Sequence, residues 1–237
     1  MFNSEVINAA YRHAQATAPK ECCGLVIVKD NKQLYKECTN ISSVIDEFII
    51  CPQDYAKYED EGIIVGIVHS HYGTPPEPSQ ADLVGCERSK LPWLIINFPV
   101  GNYKIIEPTG YIAPLEGRQF LHGVFDCYSI IKDYYKQILN IDLPEFSRKQ
   151  EWWLSGDNLY LDNFEKAGFV EVDVNNLEEH DVIIMQCRSP VPNHAAVYLG
   201  NNVILQHLTE RLSGKDIYGG YWQKSTVKAV RYKGLIK

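Results

Sequence analysis

No stretch of this chain approaches the roughly 18 consecutive apolar residues that a membrane-spanning helix needs, so no membrane insertion is expected. Positive charge is in short supply. Twenty-three Lys and Arg stand against 30 Asp and Glu, a formal net charge of -7. With no basic stripe either, the sequence carries no electrostatic footprint for nucleic acid and suits an anionic membrane surface poorly. The amino-terminal MFNSEVINAAYRHAQ lacks the apolar core of a secretory signal, so the expectation is a protein made and folded in a reducing cytoplasm. The cysteines agree. There are 7, an odd number, with no C-x-x-C pair, which argues against a disulfide framework or a four-cysteine zinc site. Most of these thiols are expected to be small buried apolar groups. Repeats and low-complexity tracts are absent.

What is there suits one large domain or two of about 110 residues each. The first part interleaves helices and strands. Val6, Ile7, Ala10, Tyr11 and Ala14 recur at helical spacing over 4–16, Asn3 or Ser4 can cap that helix, and Pro19 ends it. CCGLVIV reads as a buried strand before a turn at Asp30-Asn31. A second strand over 34–38, a short helix over 54–61, a central strand GIIVGIVHS and a helix over 79–89 follow. A strand pair over 93–98 and 103–107 turns at Gly101-Asn102. EPTGYIAPLEG shows no period and reads as a linker. Beyond it, Ile130, Ile131, Tyr134, Tyr135, Ile138 and Leu139 mark a firm amphipathic helix, and DVIIM, HAAVYLG and VILQHL read as strands. The expected organisation is therefore an α/β domain over 1–107, a linker over 108–117 and an α+β domain over 118–237.

Chemistry concentrates first in VHSHYGTPPEPSQAD, Val68 to Asp82. Residues i and i+2 of a strand share a face, so His69 and His71 can reach one point. A carboxylate from the following helix would make a third ligand, and two nitrogens with one oxygen leave a fourth tetrahedral position open, as in catalytic zinc sites. Glu21, just before the buried strand, is placed to accept and pass on a proton. Ser79 and Asp82 also read as an ordinary helix start, and the capping and ligand roles are compatible.

These residues resemble the JAMM (Mov34/MPN+) metalloprotease pattern: a distant Glu, then His-Ser/Thr-His, seven residues, then Ser-x-x-Asp. Glu21-Cys22-Cys23-Gly24 is also similar to that family's Glu-x-x-Gly strand. The resemblance spans about 1–107. It implies Zn2+ held by His69, His71 and Asp82, Glu21 as general acid/base, and Ser79 as a hydrogen-bond donor to the tetrahedral intermediate. Cleavage of peptide or isopeptide bonds is the implied activity.

The second constellation is Cys127, His194 and His207. Cys127 stands just before the amphipathic helix, where the dipole and unpaired amides can stabilise a thiolate or an oxyanion. His194 opens HAAVYLG and is a candidate base. If Gly200-Asn201 is a two-residue turn, Leu199 pairs with Asn202, and His207 faces His194 as an orienting third member. A three-residue loop would turn His207 away. Asp126-Cys127-Tyr128-Ser129, Asn193-His194-Ala195-Ala196-Val197-Tyr198 and His207 resemble the NlpC/P60 cysteine peptidases, over about 118–237. That resemblance implies a papain-like fold with Cys127 as nucleophile, His194 as base and His207 as orienting residue, acting on peptidoglycan stem peptides next to diaminopimelate.

A JAMM-like half followed by an NlpC/P60-like half in a chain of this size, together with GRQFLHGVFDCYSIIKDYY, resembles a family of proteins that build the tail tip of long-tailed bacteriophages. It implies other tail tip proteins and peptidoglycan peptides as partners. It also implies a place in the host cytoplasm during assembly or at the virion tail tip. Either the sites are active, or they serve as little-used scaffold. Trp152-Trp153 reads as packing more than as a substrate groove, His122 as structural, and Cys22 and Cys23 as core; His13 and His180 fall in no pattern.

Overall fold

The structure is a computed structural model that describes residues 1–236. The chain divides into two compact units, Met1–Ile112 and a second beginning at Ala113.

In the first unit, α1 (Ser4–Thr17), β1 (Cys23–Lys29), β2 (Lys32–Cys38), α2 (Pro52–Glu61), β3 (Ile63–Tyr72), α3 (Gln80–Ser89), β4 (Trp93–Phe98) and β5 (Tyr103–Ile106) follow in order. The strands form one sheet in the order β2-β1-β3-β4-β5, with β3 and β4 parallel and the other pairs antiparallel. Alternation decides which side chains each face buries. Val26, Val68, Leu94 and Ile96 pack against Phe2, Val6 and Ala10 on the α1 side. Leu25, Ile27, Ile67, Trp93 and Ile95 pack against Cys86 and Leu83 of α3 and against Tyr55 and Tyr58 of α2. His69 and His71 share the parity of Ile67, so β3 delivers both imidazoles to the α3 side. The strand also runs through the pair to Tyr72, beyond the end expected from the sequence.

The second unit holds α4 (Cys127–Leu139), α5 (Leu159–Asn163), β6 (Phe169–Val172), β7 (Val182–Met185), β8 (His194–Tyr198), β9 (Val203–Gln206), β10 (Gly214–Ile217), α6 (Tyr221–Ser225) and β11 (Thr226–Tyr232). The sheet is antiparallel throughout, in the order β10-β9-β8-β7-β11-β6. Ile130, Ile131, Tyr134 and Tyr135 of α4 pack on Val182, Ile184, Ala195, Val197 and Leu205. Each fully buried aliphatic side chain there contributes about 1.5–3 kcal/mol. The architecture is an α/β unit followed by an α+β unit.

The stretch 108–117, expected as a linker, is tied at both ends. Glu87 on α3 accepts the backbone N–H groups of Thr109 and Tyr111 at 2.6 and 2.9 Å. The carbonyls of Ala113 and Pro114 accept from Arg118, which is fully buried, stands over the Phe125 ring and also pairs with Asp133. All 7 cysteines are free, and among the described residues no helix is long and apolar enough to cross a membrane.

Candidate active sites in the two units

In the first unit the side chains of His69, His71 and Asp82 converge, with one donor atom from each lying within 4.8 Å of the others. His69 Nε2 is 3.2 Å from His71 Nε2 and 3.3 Å from Asp82 Oδ1, and His71 Nε2 is 3.7 Å from Asp82 Oδ2. The Pro75 carbonyl accepts from His71 Nδ1 at 2.9 Å. That bond places the ring proton on Nδ1 and turns a bare Nε2 lone pair into the cluster, the tautomer a metal ligand requires. His69 is buried, stacked on Phe48 with centroids 4.6 Å apart, and its Nδ1 has no partner. Two imidazole nitrogens and a carboxylate oxygen form a donor set that fits zinc.

Electrostatics sharpen the cluster. Burial raises the Asp82 carboxyl, but the two imidazoles and the Ser79 bonds outweigh it and hold the group well below the usual carboxylate range. Burial lowers His71, yet its bonds to Asp82 and the Pro75 carbonyl leave it raised. Glu21 is buried, and burial pushes its carboxyl up to about 8, against the pull of His71. Ser79 is tied to Asp82 by three hydrogen bonds. Its hydroxyl donates to Asp82 Oδ2 at 2.8 Å and accepts from the Asp82 N–H at 3.1 Å, while its own N–H donates to Oδ2 at 2.7 Å. This is a complete capping box. In this arrangement the hydroxyl proton faces Asp82 Oδ2, and the Ser79 side chain braces that carboxylate.

In the second unit Cys127 opens α4 and Asp126 caps it, accepting from the Tyr128 and Ser129 N–H groups. Those first-turn amides, expected to face a thiolate or an oxyanion, are thus occupied. Asp126 is held ionised against the cost of burial by Arg148, whose Nε and Nη2 reach it at 2.7 and 3.1 Å. The sulfur lies 4.0 Å from the Asn193 carbonyl, next to His194, and accepts from the Tyr160 hydroxyl at 3.0 Å. Burial pushes the Cys127 thiol up to about 11, and the Asp126 charge adds to the rise. Burial takes His194 down to about 4, with His207 lowering it further and the bond to Gln206 opposing. At neutral pH the pair is a thiol and a neutral imidazole. Tyr160 was invisible to sequence reasoning, because it sits on a five-residue helix in no recognisable motif.

His207 does not orient His194. The loop between β8 and β9 has three residues, Gly200, Asn201 and Asn202, all with positive φ, and Leu199 bonds to Val203. Val197 pairs with Leu205 and Tyr198 with Ile204, so Gln206, not His207, shares a face with His194. His194 Nε2 lies 2.8 Å from Gln206 Oε1. His207 is buried edge-on to Phe120, with both ring nitrogens unpartnered, and burial lowers it. Cys127, Tyr160, His194 and His207 line one cavity of about 230 Å³, together with the apolar side chains of Ile131, Trp152, Phe164, Phe169 and Val182.

The model for prokaryotic homologs of the JAB domain matches residues 3–104, and that for the NlpC/P60 family matches 117–231. Over 237 aligned residues the chain is 40% identical to tail tip assembly protein K of Escherichia phage N15, covering 99% of this chain and 97% of that protein. The chain belongs to the tail tip assembly protein K family. The family's protein from Escherichia phage lambda is 38% identical over 183 residues, covering 77% of this chain and 88% of that one. A shorter likeness, 38% over 90 residues, covers 35% of this chain and 64% of the desampylase of Pyrococcus furiosus.

Proposed function

We propose that this tail tip assembly protein is a two-site peptide hydrolase, with zinc-dependent peptide or isopeptide cleavage in the first unit and cysteine-dependent cleavage of peptidoglycan stem peptides in the second. The observation that carries the reading is the meeting of His69, His71 and Asp82 within 4.8 Å, beside a buried Glu21. Bound there, zinc would supply Lewis acidity and a low-pKa water. Glu21, buried beside these ligands, would as the carboxylate take a proton from the nucleophile and return it to the leaving amine, the charge of a bound metal favouring its ionised form. Ser79 keeps Asp82 in position. In the second unit, attack by Cys127 Sγ on a carbonyl carbon sends the thiol proton to His194, which passes it to the departing amine; water then hydrolyses the thioester. Gln206 holds the ring. The partners are peptidoglycan peptides and other tail tip proteins, met in the host cytoplasm during assembly or at the virion tail tip.

Peptidoglycan solubilisation and metal content, measured together for wild type, His71→Ala and Cys127→Ala, test the reading. Wild type should carry about one zinc and release stem-peptide fragments. His71→Ala should lose the metal, and Cys127→Ala should lose lysis but keep the metal. Lysis by Cys127→Ala at the wild-type rate would remove the cysteine assignment. A second reading, a structural assembly factor with little-used sites, draws support from the protonated resting thiol. It expects Cys127→Ala and Glu21→Gln phages to remain infectious, and normal tails without infectivity would defeat it.

A further inference from the structure

We propose that Asp216 fixes the tautomer of His194 by locking the orientation of the Gln206 amide. The inference rests on His194 being the base of the cysteine site. His194, Gln206 and Asp216 lie on β8, β9 and β10, three consecutive strands of one sheet, and register puts all three side chains on one face. Gln206 is buried between its two partners, with Oε1 2.8 Å from His194 Nε2 and Nε2 2.6 Å from Asp216 Oδ2. Arg211 Nη1 and Nη2 stand 3.3 and 3.4 Å from the Asp216 oxygens on the outer side.

A primary amide is symmetric in shape but not in chemistry, since one end only accepts and the other only donates. An ionised carboxylate only accepts. Asp216, paired with Arg211, therefore demands the NH2 end of Gln206, and the carbonyl end is left facing His194. A carbonyl can only accept, so His194 Nε2 must carry the ring proton. Nδ1 is then the ring nitrogen left bare to take the thiol proton from Cys127. Without Asp216 the amide is free to rotate by 180°. In the rotated state it donates to Nε2, forces the proton onto Nδ1 and leaves the base in the wrong form. An aspartate that touches neither substrate nor thiol thus acts as a positioning residue through a swivelling amide.

Nitrogen-15 NMR of the His194 ring in the intact protein reads the tautomer without any substrate. Wild type should show the Nε2–H form alone. Asp216→Ala, and the near-isosteric Asp216→Asn if the alanine variant folds poorly, should populate both forms. Gln206→Glu supplies the decisive control, because a carboxylate at 206 is an acceptor whichever way it turns. The double variant Gln206→Glu/Asp216→Ala should return to the Nε2–H form alone. An unchanged ring spectrum in Asp216→Ala, or a double variant as mixed as the single one, overturns the lock. A protein inactive on peptides that still shows the predicted tautomer changes keeps the lock and loses the peptidase reading, so the two failures are distinguishable.

Discussion

At the first site, two imidazoles and a carboxylate converge on one point, and the imidazoles together with the Ser79 bonds hold the carboxyl ionised. At the second site, burial and a neighbouring carboxylate keep the sulfur protonated, and the helix amides that might have relieved it are occupied by Asp126. The first arrangement presents a donor set that suits a divalent cation. In the second, the thiol lies against the Asn193 carbonyl and accepts from Tyr160, while His194 is held from its far side by Gln206. The difference follows from position in the fold. His69 and His71 leave a strand facing a capped helix that brings a single carboxylate, whereas Cys127 begins a helix whose cap is itself ionised and salt-bridged.

The comparison can be broken at several points. Arg148→Met leaves the buried Asp126 carboxylate unpaired and should destabilise the second unit by about 3–5 kcal/mol, with the first unit's transition unmoved in a two-transition urea melt. Loss of less than about 1 kcal/mol would show that Asp126 is not held by this pair. Asp126 also predicts an acid limb. Its folded pKa is depressed below the ordinary carboxylate value of about 3.9, so its stabilisation is complete above that value and disappears as pH falls below it. His71→Ala removes one of three donors and should weaken zinc binding by more than the roughly 10–100-fold of an outer-shell change; competition with a chelating dye measures it. Alkylation of Cys127 should climb by about tenfold per pH unit from neutrality toward about 11, because a thiol raised that far is protonated until then. A plateau near pH 7 would instead reveal a preformed thiolate-imidazolium pair. Ser79→Ala should cost about 1 kcal/mol of stability through the lost cap, plus a measurable loss of zinc affinity through a loosened Asp82. Full zinc affinity in that variant would mean the capping box holds the helix but not the ligand.

Much of the first site was legible because its rules are local. A strand's period of two puts His69 and His71 on one face, and Ser-x-x-Asp is at once a helix cap and a way of fixing a carboxylate. The second site was legible only in part. Cys127 and His194 stand at the starts of elements, where sequence signals are strong. Tyr160 and Arg148 reach the site by long-range packing, and no local pattern in their segments points to it.

The amino-acid order by itself determined an α/β part followed by an α+β part, and the convergence of His69, His71 and Asp82. These follow from periodicity and capping, which act over a few residues. Only the tertiary structure decided the third member of the cysteine site. One added loop residue between β8 and β9 shifts the ladder by one, and because side chains alternate across a sheet, that shift sends His207 to one face and brings Gln206, with Asp216 behind it, to His194.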